Sequence, residues 1–79
     1  MREIKRGVGS MPLTLSDRGQ TYIIQRIGGK PEVRKHLENL GFVVGSSVSV
    51  INTIGGSIIV RVKGARVAIS REMAQKILV

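Results

Sequence analysis

Residue types that commonly carry catalysis or bind metal ions are scarce in this chain of 79 residues. It has no cysteine and a single histidine, His36, and its acidic residues are scattered without an obvious pairing. The sequence shows neither a nucleophile with a nearby base nor the Gly-x-x-x-x-Gly-Lys-Ser/Thr loop that holds nucleotide phosphates. We therefore expect a protein that is not an enzyme, with no catalytic residues and no cofactor.

Glu32 and His36 form the one pair that suggests a metal ion. Residues four apart share a helix face, and carboxylate and imidazole groups both bind zinc or ferrous ions. A zinc site, however, needs three or four protein ligands, and this pattern supplies only Glu32 and His36. An acidic residue in the first turn of a helix is also stabilised by the helix dipole, which explains Glu32 without a metal. We expect no metal site here.

The charge balance has two interpretations, ordinary surface charge for solubility or attraction for an acidic partner. Thirteen Lys and Arg against five Asp and Glu produce a net charge of +8. A field of this sign favours an acidic protein, a nucleic acid or an anionic membrane surface as partner, without identifying which. The basic residues of interest are Arg26, Arg34 and Lys35 around a predicted helix, and Arg61, Lys63 and Arg66 along a predicted hairpin.

A small basic nucleic-acid-binding barrel is one alternative function that would use these cations. Tyr22 and Phe42 are the only aromatic residues, and both fit roles in a core or beside a helix end. Proteins that bind single strands generally present aromatic rings on which bases stack, so the aromatic content disfavours a nucleic-acid partner. Phosphate attraction without stacking would be weak and strongly dependent on salt.

One short helix and its end are strongly specified by the sequence. Pro31 suits the first helical position, where its missing N–H is not needed. Gly41 follows where a residue in the left-handed conformation ends a helix, which lets the Phe42 ring pack back on Leu37. The apolar residues that share one face of this helix are Val33, Leu37 and Leu40.

The rest of the chain from residue 13 onward alternates between short strand signals and glycine turns. We expect one hairpin through Thr53-Ile54-Gly55-Gly56 and another through a two-residue loop at Gly64-Ala65. Ser70 is a candidate N-cap for a final turn of helix over residues 71–75. In the strand before Gly64, Ile58, Val60 and Val62 should face the core while Ile59, Arg61 and Lys63 face outward. The expected strands cover residues 13–15, 20–27, 48–52, 57–63, 66–69 and 77–79.

These elements predict a mainly β fold, with about five short strands, one inserted α-helix and a short C-terminal helical turn. So few strands hide their apolar faces and edges best by curling into a small barrel. The early position of the helix favours an SH3-like barrel over an OB-type barrel, in which the helix lies between later strands. We predict this barrel domain over residues 11–79 and a flexible basic arm over residues 1–10.

The order of the motifs resembles the FeoA family, the small cytosolic component of bacterial ferrous iron transport, over Met11–Val79. The resemblance lies in Met11-Pro12-Leu13-x-Leu15-x-x-x-Gly19, Arg34-x-x-Leu37-x-x-Leu40-Gly41-Phe42-x-x-Gly45 and Ile69-x-Arg71-x-x-Ala74-x-x-Ile77-x-Val79. The chain departs from the family pattern at two places. It has Thr53-Ile54-Gly55-Gly56 in place of a proline-containing connection, and Ser70 in place of a leucine.

The resemblance implies a noncatalytic, cytoplasmic accessory or regulatory module that binds the FeoB-type membrane transporter, which has a cytosolic GTP-hydrolysing domain. A similar domain occurs at the C-terminus of iron-dependent transcriptional repressors, so a stand-alone relative of that domain is an alternative. The longest apolar runs have about three residues, against roughly 20 in a spanning helix, so we expect no membrane insertion. The sequence leaves the oligomeric state open.

Two groups of residues are candidate partner-binding sites. One is the outward helix face with Arg34, Lys35 and His36, and the other is the hairpin tip Ile54-Gly55-Gly56. An isoleucine at a turn is either an exposed anchor for a partner or a residue folded back over the end of the barrel. Arg34 also has a simpler role, as a solvated helical charge facing Glu38.

Overall fold

The computed structural model describes residues 11–79, and the predicted basic arm over residues 1–10 lies outside the described residues. A four-stranded antiparallel sheet has the order β1-β3-β4-β5, and β2 pairs with β6 in a second antiparallel sheet. The predicted mainly β class with one inserted helix is confirmed, with six strands where about five were expected. Within residues 11–79, no helix has the length and apolarity to cross a membrane. The elements in chain order are a 3₁₀ turn (Leu13–Leu15), β1 (Thr21–Ile23), β2 (Arg26–Ile27), α1 (Pro31–Asn39), β3 (Ser47–Ile54), β4 (Ser57–Val62), β5 (Ala65–Ser70), α2 (Arg71–Ala74) and β6 (Ile77–Leu78).

The inner face of the four-stranded sheet and the apolar face of α1 meet in one core. Alternation along β4 places Ile58, Val60 and Val62 inward, where each is at most 2% exposed. Arg61, between two of them, faces solvent, so the inward and outward faces of β4 are as the sequence predicts. The buried apolar residues of the core are Leu13, Ile24, Leu37, Phe42, Val48, Val50, Ile58, Val60, Val62, Ile69, Ala74 and Ile77.

Gly41 ends α1 in the way the sequence predicts. Leu40 is the C-cap, and Gly41 follows it with a φ of +107°. The Gly41 N–H donates to the carbonyl of Glu38 at 2.9 Å, and the Phe42 N–H donates to the carbonyl of Leu37 at 3.0 Å. These are the two hydrogen bonds of a Schellman motif, and they turn the chain so that Phe42 enters the core.

The prediction of a single strand over residues 20–27 is wrong, because the chain changes sheets inside it. Its first part, β1, pairs with β3, whereas its second part, β2, pairs with β6. Ile24 lies at the change and is buried. Its N–H donates to the carbonyl of Ser46 at 2.9 Å, and its carbonyl accepts from the N–H of Gly45 at 2.9 Å. Both backbone hydrogen bonds of Ile24 are therefore made with the turn before β3 and belong to neither the β1–β3 nor the β2–β6 pairing.

Residues 13–15 form a 3₁₀ turn, and their prediction as a strand is wrong. The N–H of Leu15 donates to the carbonyl of Pro12 at 2.9 Å. Both the N–H and the hydroxyl of Ser16 donate to the carbonyl of Leu13, at 3.0 and 2.7 Å. Local hydrogen bonding by a serine side chain offers the backbone an alternative to strand pairing, which explains the difference.

The β4–β5 hairpin turns one residue earlier than predicted. Val62 pairs with Ala65, so the loop is Lys63-Gly64 and not Gly64-Ala65. Lys63 has a φ of +51° and Gly64 a φ of +77°. Positive φ at both central residues is the requirement of a type I′ turn, whose twist matches that of the flanking strands. Lys63 therefore lies at the turn, beyond the end of β4.

The C-terminal segment closes the fold. The predicted N-cap is confirmed, because the Ser70 hydroxyl accepts from the N–H of Met73 at 3.2 Å at the start of α2. After β6, the backbones of Met11 and Val79 exchange two hydrogen bonds of 3.1 and 2.8 Å. The first and last described residues are thus joined beside the second sheet.

We expect Gly41→Ala to lower the free energy of unfolding by about 1–2 kcal/mol, because an L side chain is strained in this left-handed backbone region. The added Cβ would lie 3.6 Å from the Val62 Cγ1, an ordinary contact, so strain and not a clash is the cause. Gly56→Ala is the matched control, because its φ is not positive and its Cβ would meet no atom within 4 Å. Thermal melting should place Gly41→Ala several degrees below this control. Equal melting temperatures would contradict the assigned helix end.

Candidate functional site

The predicted helix-face site is exposed on α1. Arg34, Lys35 and His36 are all exposed, as is Glu32 in the first turn. Consecutive residues of an α-helix point roughly 100° apart, so these three neighbouring side chains spread around the helix and do not converge on one point. The arrangement can contact a broad surface of a partner but does not form a pocket for a small ligand.

The predicted hairpin tip is also exposed, and its loop is shorter than the sequence suggested. β3 extends to Ile54 and pairs there with Ser57, which leaves a two-residue loop of Gly55-Gly56. The Ile54 side chain is 57% exposed, so it is not folded back over the end of the barrel. The carbonyl of Gly56 accepts from the N–H of Arg71 at 3.2 Å, which fixes the tip to the start of α2.

The two predicted surfaces lie on different parts of the domain. The C-terminal end of α1 approaches the end of β4, since a Cβ on Gly41 would lie 3.6 Å from the Val62 Cγ1. The hairpin tip instead precedes Ser57, the first residue of β4. These two ends of β4 are about 16 Å apart along the strand. As partner contacts, the helix face and the hairpin tip remain two separate predictions.

A third surface, which the sequence motifs did not indicate, is a shallow depression on the outer face of the four-stranded sheet. Its volume is about 490 Å³. We call it the sheet depression. None of the described residues that line it is acidic. Strand alternation could have predicted which side chains point outward, but not that these strands are neighbours. The side chains that bring a hydroxyl or a positive charge to it are Thr21, Ser46, Ser47, Ser49, Arg61 and Lys63.

Positive charge is concentrated beside the sheet depression. Arg61 on β4 lies directly opposite Arg66 on β5, and both are exposed. The same row of the sheet continues through Ser49 on β3 to Thr21 on β1. Like charges directly opposite each other destabilise an antiparallel pair. The stability of the sheet therefore does not explain why two arginines lie opposite each other here.

Neither aromatic residue is a free stacking surface. Phe42 is fully buried in the core. Tyr22 is half-buried and packs against the core, and its hydroxyl accepts from the N–H of Asp17 at 3.1 Å. The basic outer face of the sheet thus lacks the exposed rings that single-strand binders place beside their cations.

Comparison with protein families identifies the domain. The model of the FeoA domain family matches residues 11–79, the whole of the described region. The chain belongs to the FeoA family. The resemblance drawn from the sequence motifs is confirmed.

Individual relatives agree with this assignment. A candidate Fe(2+) transport protein A of Methanocaldococcus jannaschii is 32% identical over 68 residues, which cover 86% of this chain and 83% of that protein. A crystal structure of an iron uptake regulatory protein, FeoA, is 28% identical with a TM-score of 0.80, over 90% of this chain and 95% of that one. Stenotrophomonas maltophilia FeoA, solved with zinc and described as a prokaryotic SH3 domain protein, is 20% identical with a TM-score of 0.75, over 87% of this chain and 89% of that one. The predicted SH3-like fold is confirmed.

The fold also occurs within a larger regulator. A manganese-dependent transcriptional repressor is 25% identical with a TM-score of 0.80, and the match covers 89% of this chain but 40% of the repressor. The sequence suggested a similarity to the C-terminal domain of iron-dependent repressors, and the repressor that shares the fold here is manganese-dependent. Membership of the FeoA family makes the protein a relative of accessory proteins of Fe(2+) transport.

Zinc or ferrous ions at about ten micromolar should leave the melting temperature unchanged, because ligand binding stabilises only when the concentration exceeds the dissociation constant. In residues 11–79, no three His, Cys, Asp or Glu side chains are grouped to hold a metal ion. Glu32 and His36 alone, both exposed, leave most coordination positions to water. Differential scanning fluorimetry with each ion tests this, with magnesium as the control. A stabilisation by zinc that is lost in His36→Ala would contradict it.

Arg66→Glu should raise the free energy of unfolding by a few tenths of a kcal/mol at low salt, because it replaces a like-charge cross-strand pair with an opposite-charge pair. The gain should shrink as salt screens the exposed charges. Arg26→Glu is the matched control, since it makes the same charge change at an exposed strand residue whose cross-strand partner, Leu78, is uncharged. Urea denaturation at low and high salt measures both. A larger gain in the control would show that net charge, and not the Arg61 pair, sets the effect.

Proposed function

We propose that this protein is a noncatalytic cytosolic accessory module of ferrous iron transport that regulates a FeoB-type membrane transporter by binding its cytosolic portion. The observation that carries the proposal is the match to the FeoA domain over residues 11–79. The M. jannaschii relative, named for Fe(2+) transport, supports the same process.

A binding role is supported by what the described residues present to solvent. The chain has no cysteine and one histidine, and residues 11–79 hold no metal-ligating cluster. Their surface instead offers cations, hydroxyls and a few exposed apolar side chains, which can contact another protein through charge, hydrogen bonds and apolar packing. Any GTP hydrolysis would therefore belong to the transporter, and this module would act by association.

Nucleic-acid binding is the second candidate, favoured by the positive charge around Arg61, Lys63 and Arg66 on one hairpin. The burial of Phe42 and the partial burial of Tyr22 argue against it, because base stacking would have no exposed ring. Binding through phosphates alone would fall roughly a thousandfold or more between 50 and 200 mM salt if six or more contacts were made.

We expect the full-length protein to bind the cytosolic domain of a FeoB-type transporter from the same organism at physiological ionic strength, about 0.15 M. Isothermal titration calorimetry measures this, with the nucleotide state of the transporter domain varied between runs. The affinity should fall only modestly with added salt, because protein interfaces combine shape and apolar contact with charge.

DNA and RNA oligonucleotides are titrated in parallel as the control. Submicromolar binding to an oligonucleotide, with none to the transporter domain in any nucleotide state, would contradict the proposed function and favour the nucleic-acid alternative.

A further inference from the structure

Side chains from β1, β3, β4 and the turn after β4 come together in the sheet depression. Thr21 on β1, Ser49 on β3 and Arg61 on β4 occupy one cross-strand row on the outer face. Ser47 lies two residues along β3 on the same face, and Lys63 adds a second cation from the turn after β4. Hydroxyl, guanidinium and ammonium groups all donate hydrogen bonds, so the depression is rich in donors.

The electrostatics of the depression favour an oxyanion. None of the described residues that line it carries a negative charge. Arg61 is flanked across the ladder by Arg66, which raises the local positive potential and costs the free protein some stability. An incoming carboxylate would relieve this repulsion, and arginine can bind a carboxylate through two parallel hydrogen bonds.

Two exposed apolar residues are direct neighbours of residues that line the depression. Ile23 is 46% exposed and lies directly opposite Ser47 across β1 and β3. Val44 is 64% exposed and precedes Gly45, which lines the depression. A partner that carries both carboxylates and an apolar side chain would use the donors and the neighbouring apolar groups together, whereas a free inorganic ion would use only the donors.

The shape points in the same direction. The depression has a volume of about 490 Å³ but is shallow and open on the outer face of the sheet. Small-molecule sites generally enclose most of the surface of their ligand, which an open depression cannot do. A segment of another protein can cover the depression, because its backbone and neighbouring residues are large enough to exclude water from the bound carboxylates.

We propose that the sheet depression is the docking surface for an acidic segment of a protein partner, with carboxylates bound by Arg61 and Lys63 and an adjacent apolar side chain packed against Ile23 and Val44. The binding of an acidic segment is inferred from the residues that form the depression and does not depend on the proposed function. The identity of the partner as the transporter's cytosolic domain rests on the proposed function.

The first experiment tests the site without the transporter. An acetylated and amidated tetraglutamate peptide is titrated into the full-length protein and followed by backbone amide NMR shifts, with tetralysine as the control peptide. The shifts should concentrate at Ser47, Ser49 and Lys63 and should leave α1 unchanged. Shifts centred on Arg34 and Lys35, or spread evenly over all the basic residues, would overturn the proposal.

Charge variants make the test quantitative. Arg61→Glu should weaken peptide binding at least about tenfold, because it removes one cation and adds a repelling charge. Arg34→Glu makes the same change on α1 and should stay within about twofold of the parent. Arg61→Gln, which is milder, preserves the test if Arg61→Glu melts at a lower temperature. Equal losses in Arg34→Glu and Arg61→Glu would overturn the site.

The second experiment uses the transporter's cytosolic domain. Val44→Ser and Ile23→Ser should weaken this complex while leaving tetraglutamate binding unchanged, because the peptide has no apolar residue. Leu15→Ser is the matched control, since Leu15 is 68% exposed but, unlike Ile23 and Val44, is neither paired with nor next in the chain to a residue that lines the depression. Transporter binding that is unaffected by Arg61→Glu would overturn the docking surface and leave the proposed function standing. Peptide shifts at the depression, with no binding of the transporter domain, would support the site and contradict the proposed partner.

Two further probes separate other sources of negative charge. Inorganic phosphate and a single-stranded oligonucleotide are titrated at the same charge concentration as the peptide. Shifts at the depression with phosphate but not with tetraglutamate would identify a phosphate site and overturn the proposal. Oligonucleotide binding that exceeds peptide binding and collapses with salt would overturn it in favour of nucleic acid.

Discussion

The strict alternation of side chains along β4 is the constraint on which the rest of the structure depends. Ile58, Val60 and Val62 must all face inward, since a shift of one residue would expose them and bury Arg61. β4 lies between β3 and β5, so its register sets that of both neighbours. The same alternation holds Arg61 on the outer face and places Lys63 at the turn. One face of β4 thus packs in the core, and the opposite face presents Arg61 to solvent.

Long open sheet edges would present unpaired N–H and C=O groups to other chains, and the way this chain passes between its two sheets keeps the edges short. The chain leaves the four-stranded sheet at Ile24 and builds a second, two-stranded sheet from β2 and β6, two short strands that lie far apart in the sequence. Met11 and Val79 close this second sheet by pairing with each other. Short edge strands and backbone pairing at the ends reduce the hydrogen-bonding groups that another chain could extend. Within residues 11–79, Thr21, Arg61 and Arg66 on the outer face of the larger sheet stay exposed.

The groups on that surface suit the proposed binding of an acidic partner. Its donors are hydroxyls and permanent cations, and within residues 11–79 His36 belongs to no group of three or more His, Cys, Asp or Glu side chains that could hold a metal ion. Like charges held together on a rigid sheet lower the stability of the free protein slightly and raise its attraction for acidic groups. This property suits the binding role proposed above. The rigid strands keep the donors in place before a partner arrives, which lowers the entropy lost on binding.

The sequence by itself determined the features that depend on neighbouring residues. The helix end at Gly41 and the N-cap at Ser70 follow from backbone geometry and hydrogen bonds within a few residues, and the family motifs are patterns of the same local kind. Only the tertiary structure decided where the run through Ile24 would change sheets, because both halves are extended and their partners are far along the chain. The sheet depression was decided in the same way. Thr21 and Arg61 are distant in sequence, and they share a row only because β3 pairs with both of their strands, a long-range pairing that no local pattern of residues encodes.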